Sequence, residues 1–460
     1  MKPILLTLCV LSALCGSLSA DAPSSAKASR DVPSIVFIFA DDWGWGDLGI
    51  HGHPYLKTPH LDRLAKEGTE FHQFTVNNPV CSPSRTAVMT GHYPARHGVH
   101  GHFATVESHV KRRMPDWLDP KATMLPRLLQ GAGYATAHFG KWHLSNIMVP
   151  DAPLPDSYGY GEHGVFNAPG PQMPVHDDCD RAIAFAEKHK DRPFFINLWI
   201  HETHTPHYPK KKYLAQFAEL GQQEQTYAAV VAHADARIGK LLSALRRLGL
   251  EDDTLVLFSS DNGPENTGSA SRKRSEDRST GPGRGTFYSV GSTAGLKGRK
   301  RSLHDGGVGV PFIVRWPGKV PAGKVDKTTV LTAVDLLPTL CEVAGVKLPA
   351  GYEPDGQNML PAFLGEPVVR AKPIFWEWRS ASRGDNWPGL AVRDGEWKLL
   401  MTADRKRVEL YQLPADRFEK SNVAKQYPEV RERLQRAVLD WQASLPEKIP
   451  THCTSKLRNK

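Results

Sequence analysis

The chain has 460 residues, of which 40% are hydrophobic and 23% are charged, and its formal net charge at pH 7 is +9. This length predicts one large core with an appendage, and the positive charge favours a polyanionic partner. Because the sequence contains no helix-turn-helix, zinc-finger or RNA-recognition motif, nucleic acid is disfavoured as that partner.

The first twenty residues, MKPILLTLCVLSALCGSLSA, combine a basic start, a short apolar run and small residues at the end. This pattern predicts a secretory signal peptide over residues 1–20, cleaved near Ala20, and therefore a secreted or periplasmic mature protein. No later segment approaches the length of a membrane-spanning helix, so we expect no membrane span.

Four cysteines remain after this cleavage, namely Cys81, Cys179, Cys341 and Cys453. They are widely scattered and lack the spacing of metal-binding motifs, and a chain of this size can build its core without disulfides. At most one disulfide is expected among the last three, and the sequence leaves open whether any of them pair.

Four apolar runs in the chain each end abruptly in polar residues: SIVFIFADD, GYATAHFGKWH, PFFINLWIHETHTPH and TLVLFSSDNGP. Continuous apolar runs are typical of strands that are covered on both faces. Between these runs, helical patterns occupy residues 58–71, 124–133, 179–190 and 226–250. The alternation predicts an α/β fold with a large, mostly parallel sheet between helices, and a ligand site at the carboxyl ends of its strands.

Toward the C-terminus the pattern changes. Residues 264–296 predict a long basic loop, which we expect to line the substrate pocket together with loops 101–120 and 145–175. A further strand is predicted at 310–318 and a helix at 331–346. From about residue 365, alternating aromatic runs predict a small antiparallel sheet, with an amphipathic helix at 429–445 packed on it. We therefore divide the mature chain into residues 21–364 and 365–460.

The stretch NPVCSPSRTAVMTGHYPARHG, residues 78–98, places a cysteine directly before a predicted helix. Ser82 is predicted to cap this helix, which should continue to Gly91. Cys81 would then lie at a helix N-terminus, where backbone N–H groups favour negative charge, and Arg85 would add a fixed cation. This environment suits an activated group or an anionic substrate.

Asp41, Asp42, Asp261 and Asn262 follow two of the predicted strands and offer only oxygen ligands. Such a set suits a hard divalent cation, so we expect Ca²⁺, with Mg²⁺ possible, and not zinc.

Seven motifs in order along nearly the whole mature chain carry a family resemblance: FADDWGWGDLG, CSPSR, TGHYPARHG, GKWHL, HTPH, SSDNGP and GGVGVPFIVRWPG. The chain resembles the type I, formylglycine-dependent sulfatases of the alkaline phosphatase superfamily, such as arylsulfatases and N-acetylgalactosamine-6-sulfatase-like enzymes. The resemblance implies a sulfuric ester hydrolase with an alkaline phosphatase-like fold.

The resemblance also implies that a formylglycine-generating enzyme oxidises Cys81 to Cα-formylglycine. One hydroxyl of the hydrated aldehyde would bind the metal and the other would attack sulfur. By position in the motifs, Arg85 and Lys141 would hold the hydrate and the sulfate, and His143 would later remove the proton of the hydrate. His204 would contact the sulfate and protonate the leaving oxygen. His201 and His207, in the same stretch, are interpreted as structural.

The last cation of the family pattern is assigned by counting back from the DGG of residues 305–307, which selects Lys300 with Lys297 as the alternative.

The basic balance favours a sulfated saccharide over a small aryl sulfate as substrate. Two other functions stay open: a phosphonate monoester or phosphodiester hydrolase of the same superfamily, and a catalytically silent sulfated-glycan binding protein.

Overall fold

The computed structural model describes residues 32–266, 276–277, 283–284, 288–379 and 388–459. The predicted signal peptide and part of the 264–296 loop lie outside these residues. No helix within the described ranges is long and apolar enough to cross a membrane.

The strands of the described chain are β1 Ser34–Ala40, β2 Thr69–Thr75, β3 Ala135–Lys141, β4 Glu162–Phe166, β5 Phe194–Trp199, β6 Thr254–Ser260, β7 Glu276–Asp277, β8 Gly283–Arg284, β9 Phe312–Arg315, β10 Lys324–Thr332, β11 Ile374–Glu377, β12 Pro388–Asp394, β13 Trp397–Thr402 and β14 Val408–Gln412. The α-helices are α1 Pro59–Lys66, α2 Cys81–Thr90, α3 Val106–Arg112, α4 Leu125–Gly131, α5 Asp178–Lys188, α6 Lys211–Leu214, α7 Gln222–Arg247, α8 Asp305–Val308, α9 Leu336–Val343, α10 Leu360–Phe363 and α11 Pro428–Ala443.

Eight strands form one large sheet in the order β10-β2-β9-β6-β1-β5-β3-β4. All neighbours are parallel except β9, which runs antiparallel to both β2 and β6. The predicted mixed, mostly parallel sheet is therefore confirmed. The four strands predicted from apolar runs are the adjacent central strands β6, β1, β5 and β3, which are buried along their whole length.

Three strands of the large sheet were missed by the sequence analysis, namely β2, β4 and β10. Each contains half-buried or exposed positions, so its residues do not form a continuous apolar run. Two predicted helices are too long. The pattern at 58–71 runs into β2, because α1 ends at Lys66, and the helix predicted at 331–346 starts within the last two residues of β10, because α9 begins only at Leu336. Likewise, the loops 101–120 and 145–175 contain α3 and β4 respectively.

The C-terminal strands β11 to β14 form an antiparallel sheet in chain order, and α11 contacts β12 and β13, as predicted. The hydrophobic core under this small sheet is continuous with one face of the large sheet. Phe37 and Phe39 of β1 belong to the same buried cluster as Trp376 and Leu400 of the small sheet. The alternate residues Val36 and Ile38 pack in a second cluster on the other face.

Two local expectations about cysteine and serine have clear outcomes. The four cysteines of the described chain are all buried and free, so no pair forms among the last three: Cys81, Cys179, Cys341 and Cys453.

Helix α2 begins at Cys81, with Val80 at the N-cap and no side-chain cap. The predicted cap by Ser82 is wrong, because its hydroxyl instead accepts a hydrogen bond from the Phe103 N–H at 2.9 Å.

Candidate active site

The site lies at the carboxyl ends of the central strands, where β1 delivers two aspartates. Asp41 and Asp42 are fully buried, and Asp42 adopts a left-handed backbone with φ of 62°. Such a backbone costs free energy for any residue other than glycine and is often found at functional sites. It turns the second carboxylate toward the same space as the first.

Residues 261–263 follow β6 and bring two more oxygen donors to this edge. The Asp42 N–H donates to Asp261 Oδ1 at 3.2 Å, and Asn262 Nδ2 donates to Asp42 Oδ1 at 2.7 Å. Gly263 is required here, since a Cβ atom at this position would lie 1.9 Å from the carbonyl oxygen of Gly306. This close approach joins the Asp261 turn to the loop that carries Lys300.

The donor set fits a hard divalent cation. Asp41 Oδ1 and Asn262 Oδ1 are shielded from water and have no hydrogen-bond partner. Burial raises the pKa of Asp42, and it raises the pKa of Asp261 to about 7, although Lys300 and Arg85 respectively oppose the change. Burial thus destabilises the charged form of both carboxylates, and a bound cation would compensate for this cost.

Cys81 is the first residue of α2 and faces this acidic group. Its Sγ lies 3.6 Å from Lys141 Nζ, and donor atoms of Asp41, Asp42, Cys81 and His204 all lie within 4.8 Å of one another. Burial raises the pKa of the Cys81 thiol to about 12, even though Lys141 opposes this change. An unmodified Cys81 is therefore a neutral thiol at pH 7 and not the activated nucleophile that its helix position alone suggests.

Arg85 lies one turn along α2 and is completely buried. Its Nη2 is 2.5 Å from Asp261 Oδ2 and 3.5 Å from Asp41 Oδ1, and its guanidinium stacks 4.6 Å from the centre of the Trp199 ring. Its Nε and Nη1 have no hydrogen-bond partner. Arg85 thus bridges two acids and still has donors for an anion.

Two buried lysines each pair with one of the tandem aspartates. Lys141 Nζ is 2.6 Å from Asp41 Oδ2, and Lys300 Nζ is 2.6 Å from Asp42 Oδ2. Lys297, the alternative from the sequence, lies elsewhere: its Nζ contacts the Tyr411 hydroxyl at 2.6 Å and Glu409 Oε2 at 3.3 Å. Of the two candidates, only Lys300 reaches the acidic group.

His143 has a defined tautomer. Its Nε2 lies 2.9 Å from the carbonyl oxygen of Phe103, which can only accept, so Nε2 carries the hydrogen. Burial lowers the pKa of His143 well below its usual value, and its Nδ1 is buried with no hydrogen-bond partner. The free lone pair of Nδ1 can accept a proton.

The stretch after β5 places two histidines beside the aspartates. His204 Nε2 is 3.8 Å from Asp42 Oδ2, and His201 Nδ1 is 2.9 Å from Asp41 Oδ2. Thr203 donates its hydroxyl to the Asp41 carbonyl at 2.5 Å. His201 is therefore part of the site and not the bystander that the sequence suggested, whereas His207 faces the carbonyl of Glu202.

The comparisons with known proteins agree with this arrangement. Residues 33–346 match the family model for sulfatases, and residues 298–444 match the model for the C-terminal region of N-sulphoglucosamine sulphohydrolase. N-acetylgalactosamine-6-sulfatase of Canis lupus familiaris is 32% identical over 81% of this chain and 72% of its own length. Human arylsulfatase A is 31% identical over 80% of this chain and 74% of its own length.

Among solved structures, Ps i-CgsB in complex with k-i-k-neocarrahexaose superposes with a TM-score of 0.75 and 28% identity, covering 92% of this chain and 96% of that one. The fold and the buried cation–acid group thus define an alkaline phosphatase-like hydrolase. The chain belongs to the sulfatase family, whose members hydrolyse sulfuric esters.

Proposed function

We propose that this chain is an exported sulfatase that removes sulfate from a sulfated saccharide, using Cys81 oxidised to Cα-formylglycine and a bound Ca²⁺, with Mg²⁺ as the alternative ion. One arrangement carries the proposal: Cys81, Lys141 and Lys300 meet over the buried carboxylates of Asp41 and Asp42. The saccharide is favoured by a relative named N-acetylgalactosamine-6-sulfatase and by a structural neighbour in complex with a neocarrahexaose.

The oxidised, hydrated side chain supplies a hydroxyl that attacks sulfur. A formylglycine hydrate is favoured over the unmodified cysteine as the nucleophile, because the unmodified thiol is neutral and buried and therefore weakly nucleophilic. The metal, held by Asp41, Asp42, Asp261 and Asn262, supplies positive charge next to that side chain.

The chain's own cations would stabilise the sulfate. Three cations each form an ion pair with a carboxylate of the site: Lys141, Lys300 and Arg85. They would supply three fixed positive charges where negative charge grows in the transition state. His143 would accept the proton of the second hydroxyl at Nδ1, and His204 would protonate the leaving oxygen.

The test of the nucleophile is a comparison of converted and unconverted protein. Co-expression with a formylglycine-generating enzyme should raise the aldehyde content of the Cys81 peptide, measured by mass spectrometry, and activity should scale with that content. Equal activity of fully unconverted protein would show that Cys81 is not the precursor of the nucleophile.

The test of the substrate is a panel of sulfated oligosaccharides, with 4-nitrophenyl sulfate, phosphate diesters and phosphonate monoesters as controls. Faster turnover of a sulfated saccharide supports the proposal. Faster turnover of a phosphonate monoester or phosphodiester would favour the alternative hydrolase, and turnover of none of these would favour a glycan-binding protein. Sequencing the N-terminus of secreted protein tests export, since cleavage after Ala20 should leave Asp21 first.

A further inference from the structure

A cavity of about 330 Å³ lies between strands β2 and β10 of the large sheet and the C-terminal sheet. We call it the basic cavity. Its polar walls are formed by Gln73, Lys327, Asp305, Arg393 and Arg417, and Trp45 forms an aromatic wall. None of Cys81, Arg85, Lys141 or Lys300 lines it, so it is distinct from the active site.

Arg393 is the most buried cation of the basic cavity, with 4% of its surface exposed. Its guanidinium donates to two neutral acceptors, Gln73 Oε1 and the carbonyl of Gly395, the latter at 3.2 Å. No carboxylate of the described residues forms an ion pair with it. Burial lowers the pKa of Arg393 to about 10, and the carboxylates of Asp305 and Glu419, which lie beyond ion-pair distance, only partly oppose this change.

Arg417 is a second cation that forms no close ion pair, although the charges of Asp305 and Glu70 act on it. Its guanidinium lies 4.5 Å from the centre of the Trp45 ring, and within the described ranges no carboxylate pairs with it. Lys327 is exposed at the edge of the cavity and makes no ion pair with any residue that the structure describes. Three positive side chains thus line one small cavity, and none of them forms a close ion pair with an acid of the described residues.

The single acid in the lining, Asp305, is already paired. Its Oδ1 is 2.5 Å from Lys398 Nζ, and Lys398 is also 2.9 Å from Glu419 Oε1. Glu70 lies outside the lining, but its charge also acts on Arg417. Counted with this acid, Lys327, Arg393, Arg417 and Lys398 oppose three acids, which leaves an excess of one positive charge before any histidine is counted.

Buried cations are costly unless an anion or its hydrogen bonds replace the lost water. We propose that the basic cavity binds a small oxyanion group, a sulfate or a carboxylate, between Arg393 and Arg417. Guanidinium groups suit both anions, because their planar N–H groups match paired oxygen atoms. The group has two sources, free sulfate released by the reaction or an acidic saccharide.

The experiment is isothermal titration calorimetry at constant ionic strength, with inorganic sulfate in one arm and D-glucuronate in the other. The variants are Arg417→Gln and Arg393→Gln, and Arg436→Gln on the exposed face of α11 is the matched control. We expect the wild-type protein and the control to bind at least one of the two ligands at a site that both cavity variants weaken by at least about tenfold.

Sulfate binding at this site would identify free product as the ligand, and glucuronate binding would identify an acidic saccharide. Binding of sulfate at the active site should be the same in all variants, so it contributes a constant part of the measured heat. Arg417 is only partly buried, so Arg417→Gln keeps the test valid if Arg393→Gln does not fold. Identical binding of both ligands by wild type and Arg417→Gln, or no binding by wild type, would overturn the proposal.

Discussion

The Nε2 hydrogen of His143 is donated to the carbonyl oxygen of Phe103, and the N–H of Phe103 is donated to Ser82, the residue after Cys81. The backbone of Phe103 therefore connects His143 with the first turn of α2, directly after Cys81. It fixes the tautomer of His143 and leaves Nδ1 free to accept a proton.

Hydrogen bonds connect this backbone segment, through His109 and Asp116, to residues 455–458 near the end of the chain. The Ala104 N–H donates to His109 Nε2 at 2.6 Å, so His109 is neutral, and its Nδ1–H donates to Asp116 Oδ1 at 2.8 Å. Asp116 Oδ2 in turn accepts from the Ser455 N–H at 2.7 Å and from Arg458 Nε at 2.6 Å. We therefore infer that His109 and Asp116 position His143 through the 103–104 peptide segment.

The first prediction tests this chain of contacts. His109→Leu should lower kcat about tenfold with little change in KM, because a small displacement of His143 weakens proton transfer but not binding. His109→Gln should retain most of the activity, since its amide offers one donor and one acceptor. Steady-state kinetics on 4-nitrophenyl sulfate measure both. Equal losses in the two variants, matched by equal losses of thermal stability, would mean that His109 only supports folding.

The second prediction separates Lys300 from Lys297. Lys300→Ala should lower kcat by about 10²–10³-fold, because it removes a fixed charge from the site where negative charge develops. Lys297→Ala should leave kcat nearly unchanged and at most raise KM for a polyanionic substrate, since its ammonium group is held by Tyr411 and Glu409. A small aryl sulfate sharpens this comparison, and the reversed result on it would contradict the assignment.

The third prediction concerns the metal. Dialysis against a calcium chelator should abolish turnover, and added Ca²⁺ should restore it and raise the free energy of unfolding by about 2.7 kcal/mol at a hundred times its Kd. Asp261→Ala should lose both the bound metal, measured by elemental analysis, and the activity. Turnover supported by stoichiometric zinc alone would be incompatible with the all-oxygen donor set.

The fourth prediction is a pH dependence of stability that arises away from the metal. Burial alone would raise the pKa of Glu377, but the contact of its carboxylate with His100 at 2.5 Å, together with Arg379, lowers that pKa from 4.5 to about 2. A lowered pKa means that the ionised form stabilises the fold above pH 4.5, and that this contribution is lost as the pH falls toward 2.

Glu377→Gln should therefore reduce the free energy of unfolding at pH 7 by up to about 3 kcal/mol, with a difference from wild type that shrinks steadily below about pH 4.5. Urea unfolding between about pH 3 and about pH 7 measures the difference. Glu447→Gln, at an exposed position nearby, should show no such dependence. A difference that stays constant with pH would contradict a stabilising charge on Glu377.

The sequence by itself determined the central half of the large sheet. The strands β6, β1, β5 and β3 are buried on both faces, so their residues form continuous apolar runs that end in Asp41, Lys141 and Asp261. Parallel strands bring such ends to one edge, which is why the acidic group could be predicted before any contact was known. Strands β2, β4 and β10 contain half-buried or exposed positions and were missed for that reason.

Only the tertiary structure decided which side chains complete the site. Lys297 and Lys300 are three residues apart in one basic loop. Their ammonium groups reach different sites because residues 297–306 form a compact turn, in which the Gly306 N–H donates to the Lys297 carbonyl at 2.7 Å. His201 and the Phe103 carbonyl join the site, and Arg458 supports Asp116 behind it, through contacts across 40 to 342 positions of the chain. Local sequence patterns reflect burial and backbone preference, and such contacts between distant residues depend on how complete elements pack.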